Sequence, residues 1–149
     1  MSYFVTDLMN FHNKFGLRYD GPPRMLPPEE QAFRLKFLKE ELAEVEEAMQ
    51  QEDIAQVAGE LADLVWIAIG IAHRMGISFD HHWRAIAEAN MAKVKASEAN
   101  PGKRGSSMDI VKPEGWKRPN HAEILERTTE TVEADIYECR RACVQYHES

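Results

Sequence analysis

Between Ile54 and Ala72 the chain reads IAQVAGELADLVWIAIGIA, and Glu60 and Asp63 are the only charged residues in it. No other feature narrows the possible folds as much. A run apolar on nearly every side forms a helix that neighbouring elements have to cover. An ionised carboxylate inside such a helix costs several kcal/mol unless something neutralises it. The two acids must therefore face a cation, a basic partner or a water-filled cleft. The run is close to the length of a membrane span. Glu60, Asp63, Gln56 and several alanines make it a poor one, so no membrane partner is expected.

At 149 residues the chain suits one domain around a single core, 1–149. Its net charge of −7 argues against a nonspecific binder of duplex nucleic acid, which needs a basic face. A nucleotide arriving with its own metal ions is still compatible with that charge. Cys139 and Cys143 lie one helical turn apart, with no CxxC or Cys/His zinc pattern around them. They read as reduced packing residues of a cytosolic protein. The opening MSYFVTDLMNFHNKFG has no basic segment leading into an apolar one, so no secretory leader is expected and the location is cytoplasmic.

The pattern along the chain is helical almost throughout. Residues 3–15 form a short amphipathic helix closed by Gly16, followed by the turn-rich RYDGPPRMLPP. A second helix starts at Pro28 and carries a stripe of Leu35, Leu38, Leu42, Val45 and Met49, spaced for burial. Asp53 caps a third helix that runs to about Met75 and stops at Gly76. A fourth spans roughly 79–99. An extended Pro/Gly-rich loop, 100–119, contains at most a short strand at DIVK. Asn120 and Glu123 form a capping box that opens a C-terminal helix, about 121–147. The fold class is all-α: a four-helix core over about 3–99, an extended segment and an extra C-terminal helix.

Helix 2 carries EELAE, with Glu40, Glu41 and Glu44, and helix 3 carries ELAD, with Glu60 and Asp63. ExxE and ExxD are i, i+3 pairs, each placing two carboxylates on one helical face. Glu41 and Glu44 flank the apolar stripe of helix 2, and Glu40 points more toward solvent. If the two helices pack antiparallel through a turn near 51–53, the pairs converge. Four carboxylates in one cleft cannot all stay ionised without cations. Oxygen-only ligands suit Mg²⁺ or Mn²⁺ rather than zinc. Taken alone, Glu41 and Glu44 also fit the solvated face of a Glu-rich helix. A di-iron bundle is excluded, because it needs ExxH pairs and the chain has none. The loop PGKRGSS is not a P-loop, and nothing suggests a Ser-His-Asp or Cys-His arrangement or a covalent intermediate.

EELAEVEEA…GELADLV resembles the EExxE…ExxD signature of the MazG-like, all-α nucleoside triphosphate pyrophosphohydrolases, and EANMAK in helix 4 is similar to that family's NxxK segment. The similarity covers about residues 3–119, and the tail GKRGSSMDIVKPEGWKRP looks most like compact phage-encoded members, which act in the host cytoplasm. The helix after residue 120 has no counterpart in the minimal family domain. The resemblance implies metal ligation by Glu41, Glu44, Glu60 and Asp63, with two or more ions per site. It implies catalytic work for Glu41 and for Glu40, the first Glu of EExxE, which orients water or acts behind the ligands. Asn90 and Lys93, one turn apart, would meet phosphate oxygens.

Four further residues are candidates for substrate binding. Arg34 shares a helical sector with Glu41, where it either neutralises a phosphate or pairs with a surface acid. Lys103, with Arg104, lies in the Gly/Ser loop. His12 and Trp66, with Phe15, offer aromatic faces to a base, although Trp66 also fits the core. The expected reaction is metal-dependent hydrolysis of a (deoxy)nucleoside triphosphate to the monophosphate and pyrophosphate. A dGTP or GTP substrate is the leading choice and dCTP or dUTP the alternative. The rival from another class is a non-enzymatic helical module that senses nucleotide or metal. Family likeness implies a homodimer or a tetramer of two dimers. A weak seam through Leu125, Thr128, Val132, Ile136, Cys139, Cys143 and Tyr146 suits the C-terminal helix to a subunit contact.

Overall fold

A computed structural model describes residues 2–97, 100–104, 106 and 108–131. Four helices lead the chain: α1 (Tyr3–Lys14), α2 (Pro28–Gln50), α3 (Ile54–Arg74) and α4 (Phe79–Met91). Two short strands follow, β1 (Val94–Lys95) and β2 (Ile110–Val111), and residues 121–131 are helical. The protein is all-α with a two-stranded antiparallel ribbon. It divides into two compact units, one made of residues up to Phe79 with those from Leu125 onward, the other of Asp80–Ile124.

The helix ends follow from local chemistry. Pro28 opens α2 at a position whose N–H would be unpaired in any residue. The Asp53 carboxylate caps α3, accepting from the backbone N–H of Ala55 and Gln56 at 3.0 and 3.1 Å. Gly76 ends α3 at φ 71°, and a Cβ there would stand 2.7 Å from the Gly21 carbonyl oxygen, so only glycine fits. Asn120 accepts from the Glu123 N–H at 3.3 Å and opens the helical stretch 121–131. The rest of the C-terminal helix expected from the sequence, with the seam from Val132 to Tyr146 and both cysteines, falls outside the described residues.

In the first unit, α2 and α3 form a hairpin through Gln51–Asp53, and α1 lies against α3. Leu8, Leu26, Val45, Ala48, Ile69 and Ala72 form the core. The apolar stripe expected along α2 is only partly buried. Leu35, Leu42 and Met49 are 55, 48 and 56% exposed, because α3 covers one side of α2 and the described residues leave the other open. The apolar α3 is left open as well: 11% of its most apolar stretch is buried.

In the second unit, α4 stops at Met91 rather than near 99. Residues after Ala92 are good helix formers, yet strand pairing takes them: Val94 pairs with Val111 and Lys95 with Ile110. Local propensity yields here to partners 15 or more residues away, as it commonly does for β-branched segments. The DIVK strand of the sequence reading is β2.

Candidate metal centre

α2 and α3 run back along each other, and the turn of α2 holding Glu41 faces the turn of α3 holding Glu60 and Asp63. One carboxylate oxygen from each of these three residues lies within 4.8 Å of the other two. Glu44, one turn further along α2, hydrogen-bonds with Glu60. The four acids read from the sequence as one set are therefore brought together, with Glu41 and Glu60 half-buried and Glu44 and Asp63 exposed.

Electrostatics within the cluster are unfavourable. Partial burial pushes the Glu41 carboxyl above the usual carboxylate range, and the charges of Glu44, Asp63, Glu60 and Glu40 push it further. Glu44 is raised too, through desolvation, the charge of Glu60 and the hydrogen bond with it. Among the described residues no Lys or Arg forms a salt bridge with any of the four. The donor set is all oxygen, crowded and uncompensated, which fits a hard divalent cation and fits zinc poorly. Glu40 is exposed at the edge of the cluster, bonded to Lys36 at 3.2 Å.

The remaining candidates are dispersed. Arg34 is mostly buried and pairs with Glu30 at 3.5 Å, so its charge is spent inside the chain. His12 is 1% exposed, and its Nδ1 shares a hydrogen bond with His73 Nδ1 at 2.7 Å. No face of its ring is open to a base. Trp66 is half-buried and packs edge-on against Phe11, centroids 5.3 Å apart, while Phe15 stacks on Phe11 and is exposed. Asn90, Lys93 and Lys103 belong to the second unit. There Asn90 lies in the last turn of α4, with its carbonyl accepting from the Lys93 N–H at 3.1 Å, and Lys103 sits exposed in a turn.

Sequence reasoning missed two groups. One is the buried set of His12, His73, Arg74, Arg34 and Glu30, in which Arg74 donates to both carboxylate oxygens of Glu30 at 2.8 and 3.1 Å and to the Leu17 carbonyl at 2.7 Å. His12 and His73 alone are 61 residues apart, and the set follows no spacing rule. The other is Trp116, whose indole N–H donates to the Ala89 carbonyl at 2.7 Å, with Lys93 and Lys112 over its ring. Its signal was present in KPEGW, a turn-forming sequence that delivers an aromatic residue.

A family model described as phosphoribosyl-ATP pyrophosphohydrolase matches residues 8–90, a span that includes all four clustered acids and Asn90. No curated protein matches the chain.

Proposed function

The chain belongs to the phosphoribosyl-ATP pyrophosphohydrolase family, within the MazG-like all-α superfamily, and from that membership we propose a metal-dependent hydrolase that converts a (deoxy)nucleoside triphosphate to its monophosphate and pyrophosphate. The observation that carries the proposal is the convergence of Glu41, Glu60 and Asp63 from two helices, with no Lys or Arg in a salt bridge to any of them among the described residues.

In this reading Glu41, Glu44, Glu60 and Asp63 hold Mg²⁺ or Mn²⁺, two or more ions per site. Cations held by these residues would neutralise the phosphate chain and acidify water. Glu40, exposed beside the cluster, orients the attacking water and takes its proton. The oxygen of that water bonds to the α-phosphorus as the bond to the bridging oxygen breaks, and pyrophosphate leaves with the electron pair. The family resemblance assigns Asn90 and Lys93, in the second unit, to phosphate oxygens. Of the three aromatic candidates, His12, Phe15 and Trp66, the exposed Phe15 and the half-buried Trp66 keep a face for a base.

The working unit in this reading is a homodimer, or a tetramer of two dimers, in the cytoplasm. The open apolar surface of the helix hairpin supports it: Leu42, Met49, Ile54, Leu61 and Val65 are each more than 40% exposed. A second copy of the hairpin would cover that surface. Light scattering tests this point, and a monomer at micromolar concentration contradicts it.

Pyrophosphate release across the eight common nucleoside triphosphates and phosphoribosyl-ATP, with Mg²⁺ and Mn²⁺ each supplied, tests the activity and names the base. A purine deoxynucleotide is the expected best substrate, with dCTP or dUTP the alternative. Absence of turnover on every compound would favour a non-enzymatic module that senses nucleotide or metal.

A further inference from the structure

We propose that Lys93 and Lys112, gathered over the indole of Trp116, form a binding site for a phosphate chain. The site rests on residues 89–116 alone, while the choice of phosphate as the ligand rests on the pyrophosphohydrolase reading.

The ring is fixed from two sides. Its N–H donates to the carbonyl of Ala89 in the last turn of α4, where helical carbonyls lack intrahelical partners. Its backbone is set by a turn over Pro113–Trp116, closed by the Trp116 N–H on the Pro113 carbonyl at 3.2 Å. Gly115 stands third in that turn at φ 75°, as a type II turn requires. The ribbon then aligns the lysines. Val94 pairs with Val111 and Lys95 with Ile110, so one step outward the same register sets Lys93 opposite Lys112. Their Nζ atoms lie 5.9 and 4.5 Å from the centroid of Trp116, within reach of its negative face.

Anchoring an indole needs one cation at most. Two like charges across a strand pair repel, and the ring attracts both without removing that repulsion. Arg18, Arg34, Lys36, Arg74 and Arg104 each have a carboxylate partner, whereas among the described residues Lys93 and Lys112 have none. Asp109, the acid nearest in sequence to β2, is engaged by Arg104 at 2.9 Å. Residues 93–118 hold seven Lys or Arg against three Asp or Glu, in a chain whose net charge is −7. Lys112 is exposed and Lys93 half-buried, so their ammonium protons are free for a ligand. An extended polyanion that bridges both ammonium groups satisfies this arrangement, and a phosphate chain is such an anion. It comes either from the intact nucleotide or from released pyrophosphate. Trp116 acts as the positioning residue for both lysines.

The experiment follows the Trp116 indole N–H resonance, assigned with Trp116→Phe, in the full chain with EDTA present. Without metal the carboxylate cluster repels polyphosphate, so binding reports on the basic cluster. Tripolyphosphate and pyrophosphate are titrated separately at fixed ionic strength. The expected result is a saturable shift, weakened about tenfold by Lys112→Gln or Lys93→Gln, the size of one lost charged hydrogen bond, and retained in Lys112→Arg. Tighter binding of tripolyphosphate assigns the site to the substrate, and tighter binding of pyrophosphate assigns it to the product. An indole resonance that ignores both anions, or a Lys112→Gln variant that binds as the unaltered chain does, overturns the proposal. Normal tripolyphosphate binding without turnover of any nucleotide removes the hydrolase and leaves the site. Turnover with an unresponsive indole removes the site and leaves the hydrolase.

Discussion

The two ends of the α2–α3 hairpin are built from different residue types and resolve their charges in opposite ways. At one end Glu30 of α2 meets Arg74 of α3 through two hydrogen bonds, with Arg34 as a second cation and the His12–His73 pair packed beside them. Arg74 holds the Glu30 carboxyl below the usual range, and Glu30 raises Arg74. Along the same two helices, Glu41 and Glu44 meet Glu60 and Asp63 with no basic residue among them, and the carboxyls of Glu41 and Glu44 are pushed up. At the first end the Glu30 carboxylate is matched by basic side chains of the same chain, although the buried Arg34 Nε has no hydrogen-bond partner among the described residues. In the proposed reading the second is completed by a cation from outside, and that difference would separate a structural ion network from a binding site.

The sharpest way to break the comparison is to neutralise one acid at the open end. Glu41→Gln or Asp63→Asn should lower turnover by more than about 100-fold, beyond the loss expected for an outer supporting partner. Far-ultraviolet circular dichroism should show the helices intact, and metal-free stability should stay equal or rise as like-charge repulsion is relieved. A variant that loses fold and activity together would show that the cluster is structural. At the closed end the outcome reverses. Arg74→Met should cost about 3 kcal/mol in denaturant unfolding, because it strands a mostly buried carboxylate. An unchanged unfolding midpoint would show that the network contributes nothing.

The pH dependence sharpens the same contrast. Burial, then the charges of His73, Arg34 and Arg74, lowers His12 from 6.5 to about 4, and burial lowers His73 as well. For a histidine with a depressed folded value, the unfolded chain binds the proton first. Stability from this end is therefore full above pH 6.5 and is lost as pH falls toward 4, by about 3 kcal/mol from His12 alone. Glu30, lowered from 4.5, extends the loss to more acidic solution. Glu41 and Glu44 have the opposite sign: the folded chain holds their protons longer, so metal-free stability falls as pH rises from 4.5 through their raised values. Unfolding measured between pH 4 and 6.5 should become more stabilising with pH in Glu41→Gln than in the unaltered chain. Parallel curves would contradict the assignment. The smallest effect concerns the loop that sets the helix register. Asp53→Ala removes two cap bonds and should cost about 1 kcal/mol.

Much of this hairpin was readable from the sequence because its signals are local. Asp53, Gly16, Gly76 and Asn120 mark helix ends through chemistry confined to a few residues. The ExxE and ExxD pairs state their own faces, and a three-residue loop leaves little choice about which helices meet. What could not be read depends on distant pairing or on absent neighbours. Leu35, Leu42 and Met49 carry the spacing of buried residues, yet periodicity specifies a face and not what covers it. His12 finds His73 across 61 residues, and Lys112 meets Lys93 only through a strand register that cut α4 short. Arg34 falls on the sector its spacing indicated, but Glu30, four residues before it, claims the charge.

The central claim is that the open end of the hairpin is a divalent-cation site. Calorimetric titration of the full chain with MnCl₂ at pH 7, repeated on Glu41→Gln and Asp63→Asn, tests it most directly. The account predicts saturable binding in the unaltered chain, accompanied by a rise in Tm, and affinity at least about tenfold weaker in each variant, the loss of one charged ligand. Absence of saturation at millimolar Mn²⁺, or equal affinity in the unaltered chain and both variants, would contradict it.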